Sequence, residues 1–132
     1  GLAVTPSRRT GEENIRVLRQ ALDGAPAVVW DFTGENPYFG YLGLADAIIV
    51  TCDSVNMVSE ACATGKPVHV VQLAGGNRKF DEFHRGMREA GYTREFQGRL
   101  EHWRCRPPDD LARVAERVQQ MLNPATAHAG AA

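Results

Sequence analysis

Apolar positions in this chain fall into two alternating periods. Ala47–Val50 is a continuous apolar run, and Leu2–Thr5, Ala27–Phe32 and Val68–Val71 are mostly apolar; all four read as buried strands. Between them, apolar residues recur at helical spacing: Ile15, Leu18 and Leu22; Val55, Val58, Ala61 and Cys62; Phe80, Phe83 and Met87. Leu111, Val114, Ala115, Val118, Met121 and Leu122 form a further helical stripe. This pattern predicts helices over Glu12–Leu22, Tyr38–Leu44, Ser54–Thr64 and Lys79–Ala90, and a last helix capped by Asp109 or Asp110 and running to Leu122. Gly65 and Pro67, Gly91, and Asn123-Pro124 stop three of them. Tyr92–Arg106 is ambiguous: Phe96, Leu100 and Trp103 fit a short helix followed by a connection, and the stretch has room for one or two further strands.

Strands that alternate with helices predict an α/β fold, a three-layer Rossmann-like sandwich with a mostly parallel sheet. The domain spans 1–123, and the small-residue stretch 124–132 reads as a disordered tail. The chain opens on Gly1-Leu2-Ala3-Val4 with no initiator Met, which reads as a piece cut from a longer polypeptide at a domain boundary.

The central segment is Ala45–Val71, a strand, a helix and a second strand. Asp53 and Ser54 supply N-cap chemistry where the helix starts. A helix that begins at the carboxyl end of a parallel strand directs free N–H groups and a positive dipole end at whatever binds there, and phosphate suits both. Ser54, Asn56 and Ser59 crowd the first turns, and Glu60 follows; a carboxylate suits the paired hydroxyls of a ribose. The alternative is that Asp53 and Ser54 only cap the helix and Glu60 is solvated.

Three more loops belong at the carboxyl edge of such a sheet: Pro6–Gly11, Phe32–Pro37 and Ala74–Lys79. They carry Ser7, Arg8, Arg9 and Thr10, then Glu35 and Asn36, then Arg78 and Lys79. Arginine chelates phosphate as a fork. A phosphorylated or diphosphate ligand fits this collection of hydroxyls, amides and cations.

Composition narrows the class. With 132 residues, 43% hydrophobic and 23% charged, the chain can form a genuine core. A net charge of -1 gives no reason to expect nucleic acid or an anionic membrane as partner, and no apolar run approaches a membrane span. Cys52, Cys62 and Cys105 are an odd number without CxxC spacing and fit a reducing, cytoplasmic compartment, with Cys52 and Cys62 reading as small core residues. Cys52 stands next to a predicted helix start, where a thiolate is favoured, but no histidine is near it in sequence. His69, His84, His102 and His128 show no metal-ligand spacing, so neither a metal nor another cofactor is expected. GxGxxG, GxxxxGK[ST] and GxSxG are all absent, which disfavours a dinucleotide dehydrogenase, a P-loop enzyme and an elbow hydrolase. No catalytic residue can be named.

Longer motifs carry a resemblance. Ser54-Val-Asn-Met-Val-Ser-Glu-Ala-Cys-Ala-Thr-Gly-Lys-Pro resembles the nucleotide-sugar motif of GT-B glycosyltransferases. Thr5-Pro-Ser-Arg-Arg-Thr, Gly34-Glu-Asn-Pro-Tyr-Phe and Ala45–Ala61 resemble the elongated-mitochondria fission-factor family, over about Leu2–Leu122. The family includes plant fission proteins and many bacterial members, and the arginine-rich usage here points to a bacterial source. The resemblance implies the C-terminal half of a GT-B-like fold, binding a nucleoside diphosphate or nucleotide sugar. Ser54 and the amides of Val55 and Asn56, with Ser59, would hold the diphosphate, Glu60 the ribose, and Ser7 and Arg8 the phosphates from the first loop. The catalytic base would come from a missing N-terminal domain of the same chain. Plant members are implicated in recruiting a dynamin-related protein, so the resemblance equally allows a non-catalytic adaptor.

Overall fold

The computed structural model describes residues 1–75 and 78–122. The Gly76-Asn77 part of the glycine-rich loop, the Asn123-Pro124 helix stop and the 124–132 tail lie outside them. The fold is α/β with parallel strands in two sheets, consistent with the Rossmann-like class expected from the sequence. The chain divides into two compact units, Gly1–Ala45 and Asp46–Ala132.

In the first unit, β1 (Leu2–Val4) pairs in parallel with β2 (Ala27–Val29), with Leu2 opposite Ala27 and Val4 opposite Val29. A short 3-10 turn, Arg8–Thr10, leads directly into α1 (Gly11–Ala21). α2 spans Tyr38–Leu44 and buries Leu42. The expectation of strands buried on both faces fails for this pair: Leu2 is 45% and Val28 61% exposed. Two short strands form a sheet with two edges and no centre, so neither strand is flanked on both sides. β2 is also shorter than the apolar run Ala27–Phe32, because the chain turns out of the strand after Val29. The apolar stripe of α1 is half-buried at Ile15, Leu18 and Leu22.

The second unit holds the core. Its sheet has the order β3 (Ile48–Thr51), β4 (Val68–Val71), β5 (Thr93–Glu95), all parallel. β5 is the strand that the ambiguous stretch after Gly91 had room for. The expectation of burial on both faces holds for central β4, where Val68, His69 and Val70 are all buried. It fails for edge strand β3, where Val50 is buried but Ile49 is 42% exposed. α3 (Val55–Ala63) packs on β3 and β4 through Val58, Ala61 and Cys62, and α4 (Arg78–Glu89) packs on β5. α5 (Asp110–Leu122) has the periodicity read from the sequence, yet its whole apolar stripe is exposed.

Burial in β4 makes the second unit sensitive to acid. Desolvation pushes the His69 pKa below its ordinary 6.5, with the Glu101 charge opposing in part. Above 6.5 the ring is neutral folded or unfolded. Below it the unfolded chain takes the proton first, so stability falls with falling pH until the lowered folded value is passed. Glu101 adds to this at lower pH, because its hydrogen bond to Arg94 holds its carboxyl below the ordinary 4.5. Its contribution is present above 4.5 and lost beneath it. Thermal melts from pH 7 downward should show a midpoint that drops first around pH 6. The His69→Gln variant should lack that first drop; identical pH profiles for the two proteins would contradict the assignment to His69.

Candidate functional site

The segment that opens α3 is built as a helix start at the carboxyl end of β3. Ser54 is the N-cap, extended at φ -131°, and its Oγ accepts from the Met57 amide at 3.4 Å. Asp53 is half-buried beside it. Ser54 and Val55 are half-buried, whereas Asn56, Ser59 and Glu60 are exposed. One helix therefore carries five of the expected ligand residues within its first two turns, three of them open to solvent. α3 has no acidic residue in its first turn, and the nearest carboxylate, that of Asp53, lies just before the cap.

Ser7 and Arg8 belong to the first unit, at the carboxyl end of β1. Ser7 caps the 3-10 turn: its Oγ accepts from the Arg9 amide at 3.2 Å, and Thr10 Oγ1 accepts from the Ser7 amide at 3.0 Å. This reciprocal box fixes the turn and leaves the Arg8 side chain exposed. Arg8 lines an open cavity of about 770 Å³ together with Arg16 and Arg19 of α1 and with Asp31 and Phe32 from beyond β2.

Sequence reasoning missed two features. Phe32 has φ 68°, a left-handed conformation found at no other non-glycine among the described residues. Asp31 holds the turn, accepting from the Thr33 amide at 2.9 Å and from Thr33 Oγ1 at 2.6 Å, and these bonds keep its carboxyl below the usual range. The Trp30 ring lies 4.8 Å from that of Phe32. Bulky residues rarely take this conformation unless the surroundings enforce it, and such residues concentrate at functional sites. The signal in the sequence was the turn cluster Thr33–Pro37, which marks a turn without specifying its dihedrals.

The second feature is His84. It is buried in α4, and its Nε2 donates to the Cys52 carbonyl at 2.7 Å. That bond ties α4 to the β3–α3 connection across 32 residues of sequence. Cys52 is itself buried, and its Sγ accepts from the Leu73 amide at 3.2 Å. The thiol is thus a packed, hydrogen-bonded group linking the ends of β3 and β4. Among the described residues no cluster of histidine, cysteine and carboxylate side chains could hold a metal ion, and no helix is long and apolar enough to cross a membrane.

Comparison with known proteins matches residues 1–122 to the family described as Mitochondrial fission ELM1. The chain is 40% identical over 123 residues to the mitochondrial fission protein ELM1 of Arabidopsis thaliana, covering 90% of this chain and 29% of that protein. It is 33% identical over 92 residues to the uncharacterized protein RP120 of Rickettsia prowazekii (strain Madrid E), covering 67% of this chain and 26% of the relative. The chain thus spans under a third of the length of these curated relatives. No solved structure matches.

Proposed function

We infer the function from one established premise: this chain belongs to the mitochondrial fission ELM1 family. On our reading it is the nucleoside-diphosphate or nucleotide-sugar binding portion of a GT-B glycosyltransferase-like protein. The observation that carries the reading is the start of α3, a nine-residue helix opening at the carboxyl end of a parallel strand with Ser54 as its cap. Amides at such a start, those of Val55 and Asn56 first, suit diphosphate oxygens. Ser59 adds a hydroxyl, and Glu60 presents an exposed carboxylate to a ribose. In the first unit the rigid Ser7–Thr10 turn displays Arg8, which suits an anion at the end of that unit's own sheet. The acid–base chemistry of a transfer reaction would come from parts of the protein outside this chain.

Glu60 provides the test. A ribose diol donating two hydrogen bonds to a carboxylate is worth about 1.5–3 kcal/mol. Calorimetric titration with a panel of nucleoside diphosphates and their sugar conjugates should therefore show binding that weakens roughly tenfold to a hundredfold in Glu60→Gln. Ser54→Ala should weaken binding too and lower helix stability by about 1 kcal/mol. Equal affinity of wild type and Glu60→Gln would remove the ribose assignment.

A second reading, a non-catalytic interaction domain, draws on a different observation. α5 exposes Leu111, Val114, Val118, Met121 and Leu122 along one stripe, an apolar surface of the kind that protein partners cover. Absence of any nucleotide binding to the intact protein would favour this reading over the first.

A further inference from the structure

The far end of α3 brings two cysteines to one atom. Cys62 Sγ lies 3.9 Å from the Tyr92 carbonyl oxygen, and Cys105 Sγ lies 3.8 Å from the same oxygen. The two sulfurs can be no farther apart than those distances combined. Cys62 is fully buried in the last turn of α3. Cys105 is half-buried, on the stretch between β5 and α5 that has no regular secondary structure. That stretch is pressed against the end of α3: a Cβ built on Gly65 would sit 3.3 Å from the Cys105 carbonyl oxygen and 3.2 Å from Pro107 Cγ. A thiol on irregular backbone can change rotamer toward a fixed thiol on a helix, which a disulfide's narrow geometry demands of one partner. Cys52 stands apart, before the opposite end of α3, with its sulfur engaged by the Leu73 amide.

We propose that Cys62 and Cys105 form a modification site, an oxidisable thiol pair that closes to an intramolecular disulfide and staples residues 101–109 to α3. A peroxide is the oxidant. Cys105, the accessible member, is oxidised first: its sulfur takes one peroxide oxygen to give a sulfenic acid, and one water leaves. The Cys62 sulfur then attacks the Cys105 sulfur. The S–S bond forms, the S–O bond breaks, and the oxygen departs as a second water carrying the Cys62 proton. Two thiols lose two electrons and one peroxide is reduced to two waters.

Burial pushes the Cys62 thiol up to about 12 and raises that of Cys105 as well. The thiolate is the reactive form, so closure is slow near neutrality and speeds up roughly tenfold per pH unit while both thiols remain protonated. This is a staple set by sustained oxidation and not a rapid peroxide sensor.

The test uses the purified protein, treated with hydrogen peroxide at about pH 7 and about pH 8, unfolded in the presence of an alkylating agent and mapped by mass spectrometry. The expected result is a peptide pair joined through Cys62 and Cys105 and alkylation of Cys52. The link should form faster at the higher pH and disappear with dithiothreitol. Cys52→Ser should still form it and Cys105→Ser should not. The oxidised protein should melt at a higher temperature than the reduced one. Accumulation of Cys105 sulfinic acid beside a free Cys62, a link to Cys52, links only between chains, or three free thiols would each overturn the proposal. Because the wild-type mapping decides it, a poorly folding variant would not obscure the answer.

Discussion

His69→Ala is expected to lower the stability of the Asp46–Ala132 unit by about 3–4 kcal/mol, the range for emptying a large buried ring site and stranding a hydrogen-bond donor. His69 occupies the central strand β4 and is 1% exposed. Its Nε2 accepts from the Glu101 amide at 3.0 Å, which leaves the ring proton on Nδ1. The ring meets Trp103 and Phe96 edge-on, with centroids at 5.1 and 6.0 Å. Arg94 then covers Trp103, its guanidinium carbon 4.5 Å from the ring centre, and pairs with Glu101. The imidazole is thus the base on which residues 96–103 rest, and the exposed Arg94–Glu101 ion pair is the outermost layer. Deleting the ring removes the packing and the acceptor together. His69→Gln retains an acceptor and should recover part of the loss, whereas Arg94→Ala should matter far less, as exposed ion pairs do. Urea unfolding monitored by tryptophan fluorescence in a Trp30→Phe background, where Trp103 alone reports, measures all three. A loss under 1 kcal/mol for His69→Ala would show that the segment is held elsewhere.

Gly65→Val is the second large effect, expected to destabilise by about 3 kcal/mol or more. Gly65 follows the end of α3 at φ 71°, and its amide donates to the Cys62 carbonyl at 3.1 Å. A β-branched residue is strained at this dihedral whatever the space around it. Space is lacking as well, since the added Cβ would press on the Cys105 carbonyl and on Pro107. The backbone carbonyl cannot rotate away as a side chain could. Gly65→Ala should show roughly half of the effect, and the contrast with Gly24→Ala separates the two causes. Gly24 has φ 74° but nothing within 4 Å of its Cβ position, so it reports dihedral strain alone. Equal losses at the two positions would mean that contact with 105–107 contributes nothing.

The α3 region was legible because its signals are local. Asp53-Ser54 marks the helix start, Val58, Ala61 and Cys62 mark the buried face, and Gly65 with Pro67 marks the stop; each depends on neighbours within one or two turns. The same holds for α2, seen at Tyr38–Leu44 as the pattern predicted, and for the helical period of α5. The α/β class followed from the alternation of such segments, and the ELM1 family from motifs that are contiguous in the chain.

Burial was less legible, because an apolar run states only what a strand can bury and not what covers it. β3 and β4 read alike, yet the sheet order gives β4 two neighbours and β3 one. α5 has a complete stripe that its surroundings leave open. Links between distant residues were invisible for a stricter reason. The His84 bond to Cys52 and the His69 bond to Glu101 each join groups 32 residues apart. The convergence of Cys62 and Cys105 on Tyr92 likewise depends on where β5 sits beside β4. The sequence by itself determined the helices and most of the strands, the helix start at Ser54 and the family, since dihedral preference, capping and periodicity act over a few residues. Only the tertiary structure decided which histidine is the keystone, which strand is central and which thiols meet, because those depend on contacts that close long loops of chain.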